Sequence, residues 1–224
     1  MKRTITIHQP DFLPWLGFFD RWKQSDLLII LDDVQFLRRG WHHRDRIKTR
    51  DGLAWLTIPV QKKGNFEQMI NQVKIDNQSD WQRRHLATIR HVYRKAPFFE
   101  SIFESLHDAY LGKTELLVSF NLRLLEIAAE LLGIDTPYIL ASRYNVSGRK
   151  SERLIHLIQQ EGGTDYLTGT GSKNYLDVGL FSRAGIRVIW QDFPHPIYPQ
   201  LYGGFVPNLS VIDFMMNCGK QNVR

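Results

Sequence analysis

The stretch TITIHQPDFLPWLGFFDRWKQSDLLIILDD, residues 4–33, decides the fold class of this chain. Thr4 to His8 alternates between polar and apolar residues, which predicts a short strand. Apolar residues recur at helical spacing from Pro14 to Gln24 and predict a helix. Leu27 to Leu31 is a continuous apolar run, as expected for a strand that is covered on both faces. This strand–helix–strand unit predicts a parallel sheet with a right-handed connection.

The same alternation returns towards the C-terminus of the chain. Five further elements, alternately strand and helix, are predicted over 137–141, 151–160, 164–168, 174–183 and 186–190. Between the two α/β stretches, a basic loop and two strands, 53–60 and 72–75, precede a block of helices at about residues 79–133. The sequence therefore predicts one α/β domain over residues 1–224, with a Rossmann-like, mostly parallel sheet and a helical insertion.

The composition, 43% hydrophobic and 23% charged residues among 224, is that of an ordinary globular protein. The apolar run Leu27 to Leu31 is far shorter than the roughly 20 residues of a membrane-spanning helix. A strand pattern stands where a signal peptide would have its apolar region. The single cysteine, Cys218, excludes an internal disulfide and suits a reducing compartment. We therefore expect a cytoplasmic protein without a membrane segment.

The basic residues are unevenly distributed in a chain of formal net charge +6. Six of them fall in one short stretch: Arg38, Arg39, Arg44, Arg46, Lys48 and Arg50. Such a stretch is compatible both with a solvated basic face and with an anion site. Together with Trp41, arginines can bind phosphates through guanidinium forks and bases by stacking. Arg44 and Arg46 are therefore predicted to bind an anionic or nucleotide-linked substrate, or tRNA.

Ligands of open α/β sheets bind beyond the carboxyl ends of the strands, so the polar residues that follow the predicted strands are site candidates. His8, at the end of the first strand, is predicted to act as general acid or base, and a structural role in the turn is the alternative. Asp33, after the second strand, is the other predicted catalytic residue. Glycine turns before helices add backbone amides that favour anions. The predicted substrate-binding residues at this edge are Gln9, Gln35, Lys150, Gly171, Ser172, Asn174, Tyr175 and His195.

No metal site is predicted. Asp32 and Asp33 are adjacent in an extended segment and point to opposite sides, so an ion pair with an arginine is favoured over chelation. His42 and His43 have no cysteine or acidic residue at zinc-ligand spacing. Neither glycine turn matches the Walker pattern, which argues against a P-loop ATPase. The cofactor stays open, and a nucleotide or nucleotide sugar is compatible with the sequence.

Seven segments together resemble the WbqC-like family of bacterial proteins. They are HQPDFLPWLGFF (8–19), DDVQF (32–36), WLTIPV (55–60), SGRKSERLI (147–155), YLTGTGSKNYL (166–176), HPIYPQ (195–200) and NLSVIDFMMNCG (208–219). The family is associated with O-antigen and other surface-polysaccharide gene clusters. The resemblance implies a transferase that moves an acyl or aminoacyl group to a sugar or sugar nucleotide, and a glycyl group is one candidate. An ATP-dependent enzyme similar to nucleotidylyltransferases and a tRNA- or nucleic-acid-binding module are the alternatives.

Overall fold

The structure is a computed structural model that describes residues 2–61 and 67–220. Its strands and helices are β1 (Thr4–His8), α1 (Leu16–Lys23), β2 (Leu27–Ile30), β3 (Arg44–Thr49), β4 (Gly52–Thr57), α2 (Trp81–Tyr93), α3 (Phe99–Leu111), α4 (Leu117–Leu131), β5 (Tyr138–Leu140), α5 (Lys150–Gln160), β6 (Asp165–Thr168), α6 (Val178–Arg183), β7 (Arg187–Trp190) and α7 (Val211–Cys218). The chain divides into two compact units. The first unit comprises residues 2–9, 20–33 and 135–194, and the second comprises the described parts of 10–19, 34–134 and 195–220.

The first unit is built on a sheet of five parallel strands in the order β5-β2-β1-β6-β7. Every neighbouring pair is parallel, and β1 lies between β2 and β6. Successive strands therefore run outward on one side of β1, and the chain then crosses to its other side at β6. This arrangement confirms the predicted α/β, Rossmann-like parallel sheet.

The core of the first unit packs helices closely against this sheet. Ile5, on β1, is fully buried. A Cβ at Gly163 would lie 2.5 Å from the Ile5 Cδ1 atom and 2.6 Å from the Ile158 side chain. A hydrogen is therefore the largest group that fits there between β1 and the end of α5. Elsewhere in this core, Tyr166 of β6 stacks on Phe181 of α6, with ring centroids 5.3 Å apart and planes at 8°.

The second unit combines the antiparallel hairpin β3–β4 with α2, α3, α4 and α7. Helix α3 contacts α2, α4 and α7, and α7 also contacts β3. Aromatic rings fill its core: Phe120 meets Tyr110 and Trp81 edge to face, at centroid distances of 5.1 and 5.3 Å. The helical block predicted at about 79–133 lies in this unit. The organisation of residues 1–224 as a single domain stays a prediction.

Three element predictions were wrong in detail. Residues 44–49, predicted as part of a basic loop, form strand β3, and β4 pairs with it and not with the parallel sheet. The segment 72–75, predicted as a strand, ends a 3-10 turn and then contributes only isolated bridges. The helix predicted over 174–183 begins at Val178, because the Asp177 side chain accepts a hydrogen bond from the Leu180 amide and caps α6 there.

Candidate functional site

The carboxyl ends of β1 and β6 meet at the point where the strand order of the parallel sheet changes direction. The two strands pair in register from Thr4↔Asp165 to Thr6↔Leu167, so both end at the same edge. His8 is the last residue of β1, and the turn Gly169–Ser172 follows β6 directly. Ligands of open α/β sheets bind at such switch points. The structure thus brings together two segments that the sequence analysis selected.

His8 is half-buried at this edge and is oriented by its own backbone neighbour. Its Nδ1 atom lies 3.0 Å from the carbonyl oxygen of Gln9. Because a carbonyl oxygen only accepts hydrogen bonds, this contact assigns a proton to Nδ1. In the neutral imidazole the lone pair is then on Nε2, which is the form that a general base requires.

Ser172 shapes the turn after β6 and does not direct its amide outward. Its N–H donates to the Gly169 carbonyl at 3.1 Å, and its Oγ donates to the same carbonyl at 2.8 Å. The Oγ also lies 3.1 Å from the Thr168 hydroxyl. These bonds hold the turn together, and the predicted contact of Ser172 with an anion stays a prediction. Gly171 is exposed, and a Cβ built on it would meet no atom within 4 Å.

A buried arginine lies beside this turn. Arg21, in the C-terminal half of α1, is only 5% exposed, and a Cβ at Gly169 would lie 3.0 Å from its Nη1 atom. Nη1 donates to the Gln191 side-chain oxygen at 2.6 Å, and the Gln191 amide donates to Asp20. Sequence reasoning missed all three residues. The signal that the sequence offered for Arg21 was its place three residues after Phe18, which puts it beside the apolar stripe of the predicted helix.

The two carboxylates after β2 have different partners, as their adjacency predicts. Asp33 forms an ion pair through Oδ2 with Arg153 on α5, and the Asp32 side chain accepts the Ser142 amide at 3.0 Å. The expected ion pair with an arginine is confirmed, although the sequence did not identify Arg153. The Asp33 Oδ1 atom is buried and has no hydrogen-bond partner among the described residues. A catalytic role for Asp33 stays a prediction.

The other predicted residues of the first unit lie at its surface. Lys150 is exposed at the start of α5 and has a backbone φ of +49°, a conformation rarely seen outside glycine and asparagine. Such strain is most often retained at functional positions. Asn174 and Tyr175 are exposed close after the β6 turn, and Gln9 is half-buried after β1. Their predicted contacts with substrate stay predictions.

Four predicted substrate-binding residues lie in the second unit: Gln35, Arg44, Arg46 and His195. Gln35 is exposed and forms an isolated bridge with Met69. His195 uses both ring nitrogens on backbone groups of its own unit, since Nδ1 donates to the Pro196 carbonyl at 2.9 Å and Nε2 accepts the Asn208 N–H at 3.2 Å. These bonds orient the His195 ring, and its predicted contact with substrate stays a prediction.

The second unit also buries a polar cluster that sequence reasoning missed. His42 Nδ1 lies 3.0 Å from Asp11 Oδ1, and both side chains are buried. The Asn121 amide donates to the carbonyls of Pro10 and His42, each at 2.7 Å. Burial raises the pKa of the nearby Asp45 carboxyl to about 8, against an opposing hydrogen bond from the Arg46 amide. A polar cluster of this kind has no sequence signature, because its members are far apart along the chain.

Comparison with known proteins shows the family to which this chain is related. The family model described as the WbqC-like protein family matches residues 9–224, which is nearly the whole chain. This chain belongs to the WbqC-like protein family. Uncharacterized protein Rv1507c of Mycobacterium tuberculosis is 38% identical to it over 223 residues, covering 99% of this chain and 96% of that protein. No solved structure matches the chain. The family resemblance in the sequence is thereby confirmed.

In this WbqC-like protein, three of the segments that carry the family likeness supply the sheet-edge residues. HQPDFLPWLGFF begins with His8, SGRKSERLI contains Lys150 and Arg153, and YLTGTGSKNYL forms β6 with its turn. Within residues 2–61 and 67–220, no three histidine, cysteine or acidic side chains are grouped so that they could hold a metal ion. The same residues contain no helix long and apolar enough to cross a bilayer.

Proposed function

We propose that this WbqC-like protein is a cytoplasmic transferase of bacterial surface-polysaccharide (O-antigen) biosynthesis. It transfers an acyl or aminoacyl group, of which a glycyl group is one candidate, to a sugar or sugar nucleotide. The observation that supports this most directly is that His8 ends β1 and the Gly169–Ser172 turn follows the paired strand β6, at the switch point of the parallel sheet. Family membership supports the biological context.

The turn after β6 is the proposed position of the anionic part of the substrate. Gly171 leaves open space above the backbone, so a phosphate can approach it closely. The buried guanidinium of Arg21 beside Gly169 provides positive charge, and burial makes its interaction with an anion stronger than in water. Lys150 adds an exposed cation at the N-terminus of α5, where the helix dipole also favours an anion. The substrate class is therefore a nucleotide-linked or otherwise phosphate-bearing small molecule, with tRNA as a further aminoacyl donor.

The chemical step uses His8 as the base. A hydroxyl or amino group of the sugar attacks the carbonyl carbon of the donor while the Nε2 atom of His8 takes its proton. The new C–O or C–N bond forms, the bond from the acyl carbon to its carrier breaks, and His8 returns the proton to the departing carrier. Asp33 is proposed as the second catalytic residue, and its ion pair with Arg153 holds the carboxylate in place.

Replacing His8 by alanine is expected to lower the rate of transfer by about a hundredfold, the lower end of the usual range for general acid–base groups, while leaving substrate binding nearly unchanged. Binding is measured as the thermal shift given by a panel of nucleotide sugars, ATP with magnesium, free amino acids and tRNA. A ligand at a hundredfold its Kd should stabilise the fold by about 2.7 kcal/mol, or about 5–10 °C in Tm for a chain of this size. Transfer is measured by mass spectrometry of the sugar product.

His91→Ala, at an exposed position on α2, is the matched control and should retain full activity. Wild-type rates in the His8→Ala protein would remove the catalytic assignment. A shift given only by ATP with magnesium, followed by release of pyrophosphate, would favour the nucleotidylyl-transfer alternative.

The Gly171→Ala variant tests whether a ligand approaches the β6 turn, because it should change binding without changing the stability of the fold. The added methyl meets no atom within 4 Å, and the backbone at Gly171 is outside the left-handed region, so the free energy of unfolding should change by less than about 0.5 kcal/mol. If a phosphate lies against this turn, the methyl should weaken nucleotide-sugar binding by about tenfold, as read from thermal-shift titrations. Lys150→Gln, which removes the charge and keeps a polar side chain only one bond shorter, should weaken binding to a similar degree. Unchanged affinity in both variants would place the anion elsewhere.

A further inference from the structure

The hairpin of the second unit carries an exposed aromatic and cationic face, here called the hairpin surface: Trp41, Arg44, Arg46 and Trp55. Trp41 is 44% exposed and Trp55 is 47% exposed. Their ring centroids are 5.5 Å apart and the planes are tilted by 34°. Two large exposed aromatic side chains side by side are unusual on a protein surface and mark a binding site more often than packing.

The two arginines lie between and over these rings. The Arg44 guanidinium carbon is 4.5 Å from the Trp55 ring centroid, and that of Arg46 is 5.4 Å from Trp41 and 5.8 Å from Trp55. The antiparallel register explains the grouping, since Arg46 pairs directly with Trp55. The Nε atoms of both arginines are buried and have no hydrogen-bond partner among the described residues. The cation–π contacts, with a hydrogen bond from Arg44 Nη2 to the Arg39 carbonyl at 2.9 Å, hold the guanidinium groups in place without neutralising their charge.

The charge around the hairpin surface is strongly positive. Six basic residues and only two acidic ones occupy positions 38–51. Of the two acidic residues, Asp45 is on the opposite, buried face of β3, and Asp51 is exposed in the turn between β3 and β4. The basic Lys48 is buried against the 200–204 segment. Arg38, Arg39 and Arg50 are exposed in the same stretch of chain, and the Arg39 carbonyl accepts a hydrogen bond from Arg44 Nη2 at 2.9 Å. The face thus presents Arg44 and Arg46 with two tryptophans to a ligand, and Arg39 lies beside them.

We propose that the hairpin surface binds a segment of single-stranded nucleic acid. Such a ligand needs aromatic or guanidinium planes on which bases stack, and cations along its phosphates. Arg44 and Arg46 are two residues apart on one strand face, about 7 Å at the usual strand rise, and can contact successive phosphates. A neutral sugar would use the rings but not the arginines, and an acidic peptide would use the arginines but not the paired rings. This site is independent of the transferase site proposed in the first unit.

The test measures the fluorescence anisotropy of fluorescein-labelled 12-mers of oligouridylate and oligodeoxythymidylate with the full chain. We expect binding of at least one of them that weakens steeply with salt, by a factor of ten or more between about 50 and 200 mM, because phosphate contacts release counterions. Trp55→Ala should weaken binding by about tenfold, and Arg46→Gln should lower the slope of log K against log salt by about 0.7. Binding of RNA alone would show that the ribose hydroxyl is read, and binding of both would show that backbone and bases suffice.

Two control variants test whether oligonucleotide binding depends on the hairpin surface or on exposed arginines and aromatic rings elsewhere on the protein. Arg83→Gln removes an exposed arginine on α2, and Phe98→Ala removes an exposed aromatic ring just before α3; both should bind like wild type. Trp55→Phe should recover most of the affinity, because it restores a stacking plane. His8→Ala should also bind like wild type, so failure of the transferase proposal would not affect this one.

Three results would overturn the proposal. They are the absence of binding to either oligonucleotide at low salt, equal affinity in wild type, Trp55→Ala and Arg46→Gln, and binding to phosphatidylserine vesicles without binding to the oligonucleotides. Circular dichroism and thermal unfolding confirm that each variant is folded before its affinity is compared.

Discussion

Replacing Asp45 by asparagine is expected to stabilise the protein at pH 8 and above, by several kcal/mol, and to have little effect near pH 4. Asp45 is 4% exposed, and its Oδ1 accepts the Arg46 N–H at 2.6 Å, a bond that an asparagine oxygen can keep. Burial raises the pKa of Asp45 to about 8, and the Asp11 carboxylate adds to that effect while the Arg46 amide opposes it. The folded protein therefore holds a proton that the unfolded chain releases above its ordinary value of 3.8.

The sign follows from proton linkage. Where the folded state binds more protons than the unfolded state, stability falls as pH rises. The contribution of Asp45 is thus fully present below about pH 4, declines between about pH 4 and pH 8 at roughly 1.4 kcal/mol per unit at most, and is lost above pH 8. Asparagine stays neutral throughout, so the advantage of the variant should grow over this window and then level off.

Urea unfolding of wild type and Asp45→Asn at pH 5, 6, 7, 8 and 9 measures this difference. Asp165→Asn is the control of opposite sign. The hydrogen bond from Arg187, followed by the charges of Arg187 and Lys2, lowers the pKa of Asp165, so its stabilising contribution is present above pH 4 and is lost only in acid. This control should be less stable than wild type by a nearly constant amount from pH 5 to pH 9. If the free energy of unfolding of Asp45→Asn exceeds that of wild type by an amount that does not depend on pH, the assignment of a bound proton to Asp45 is refuted.

The parallel sheet was predictable because each of its strands has a local signature. Residues 4–8 alternate, 27–31 are continuously apolar, and the observed strands Thr4–His8 and Leu27–Ile30 agree with these patterns to within a residue. The strand order, by contrast, depends on which apolar faces meet, and no short window of sequence contains that information. Strand β3 was missed for a different reason. Its outward positions are arginines, and its buried ones include Asp45, so charge concealed the alternation.

The site could be predicted only as far as chain order decides it. The rule that ligands bind at the carboxyl ends of parallel strands needs the sequence of elements alone, and it selected His8 and the turn after β6. Arg21, Gln191 and Arg153 reach that edge from a helix flank, a strand end and another helix, and their positions follow from tertiary packing. His195 follows a strand along the chain, but its two ring nitrogens bind backbone groups of the second unit, and chain order alone does not contain that information.

Phe181→Ala is expected to cost about 3–5 kcal/mol in the free energy of unfolding, which for most proteins is a large part of the total stability. The Phe181 side chain is fully buried in the first unit and stacks on Tyr166, so truncation removes apolar contacts and leaves a cavity. Urea unfolding followed by circular dichroism measures the loss. Phe120→Ala, at a 1% exposed position in the aromatic core of the second unit, should cost a similar amount.

Together the two variants test whether residues 1–224 form a single cooperative domain, which the sequence predicts and which we propose. In a two-state domain, a lesion in either core lowers the same transition, and the calorimetric and van't Hoff enthalpies agree in wild type and in both variants. If the units unfold separately, Phe181→Ala lowers one transition and Phe120→Ala the other, and the calorimetric enthalpy exceeds the van't Hoff value. The distinction bears on the proposed function, because in a single cooperative domain a mutation that destabilises the hairpin unit would also reduce the population in which His8 and the β6 turn are folded.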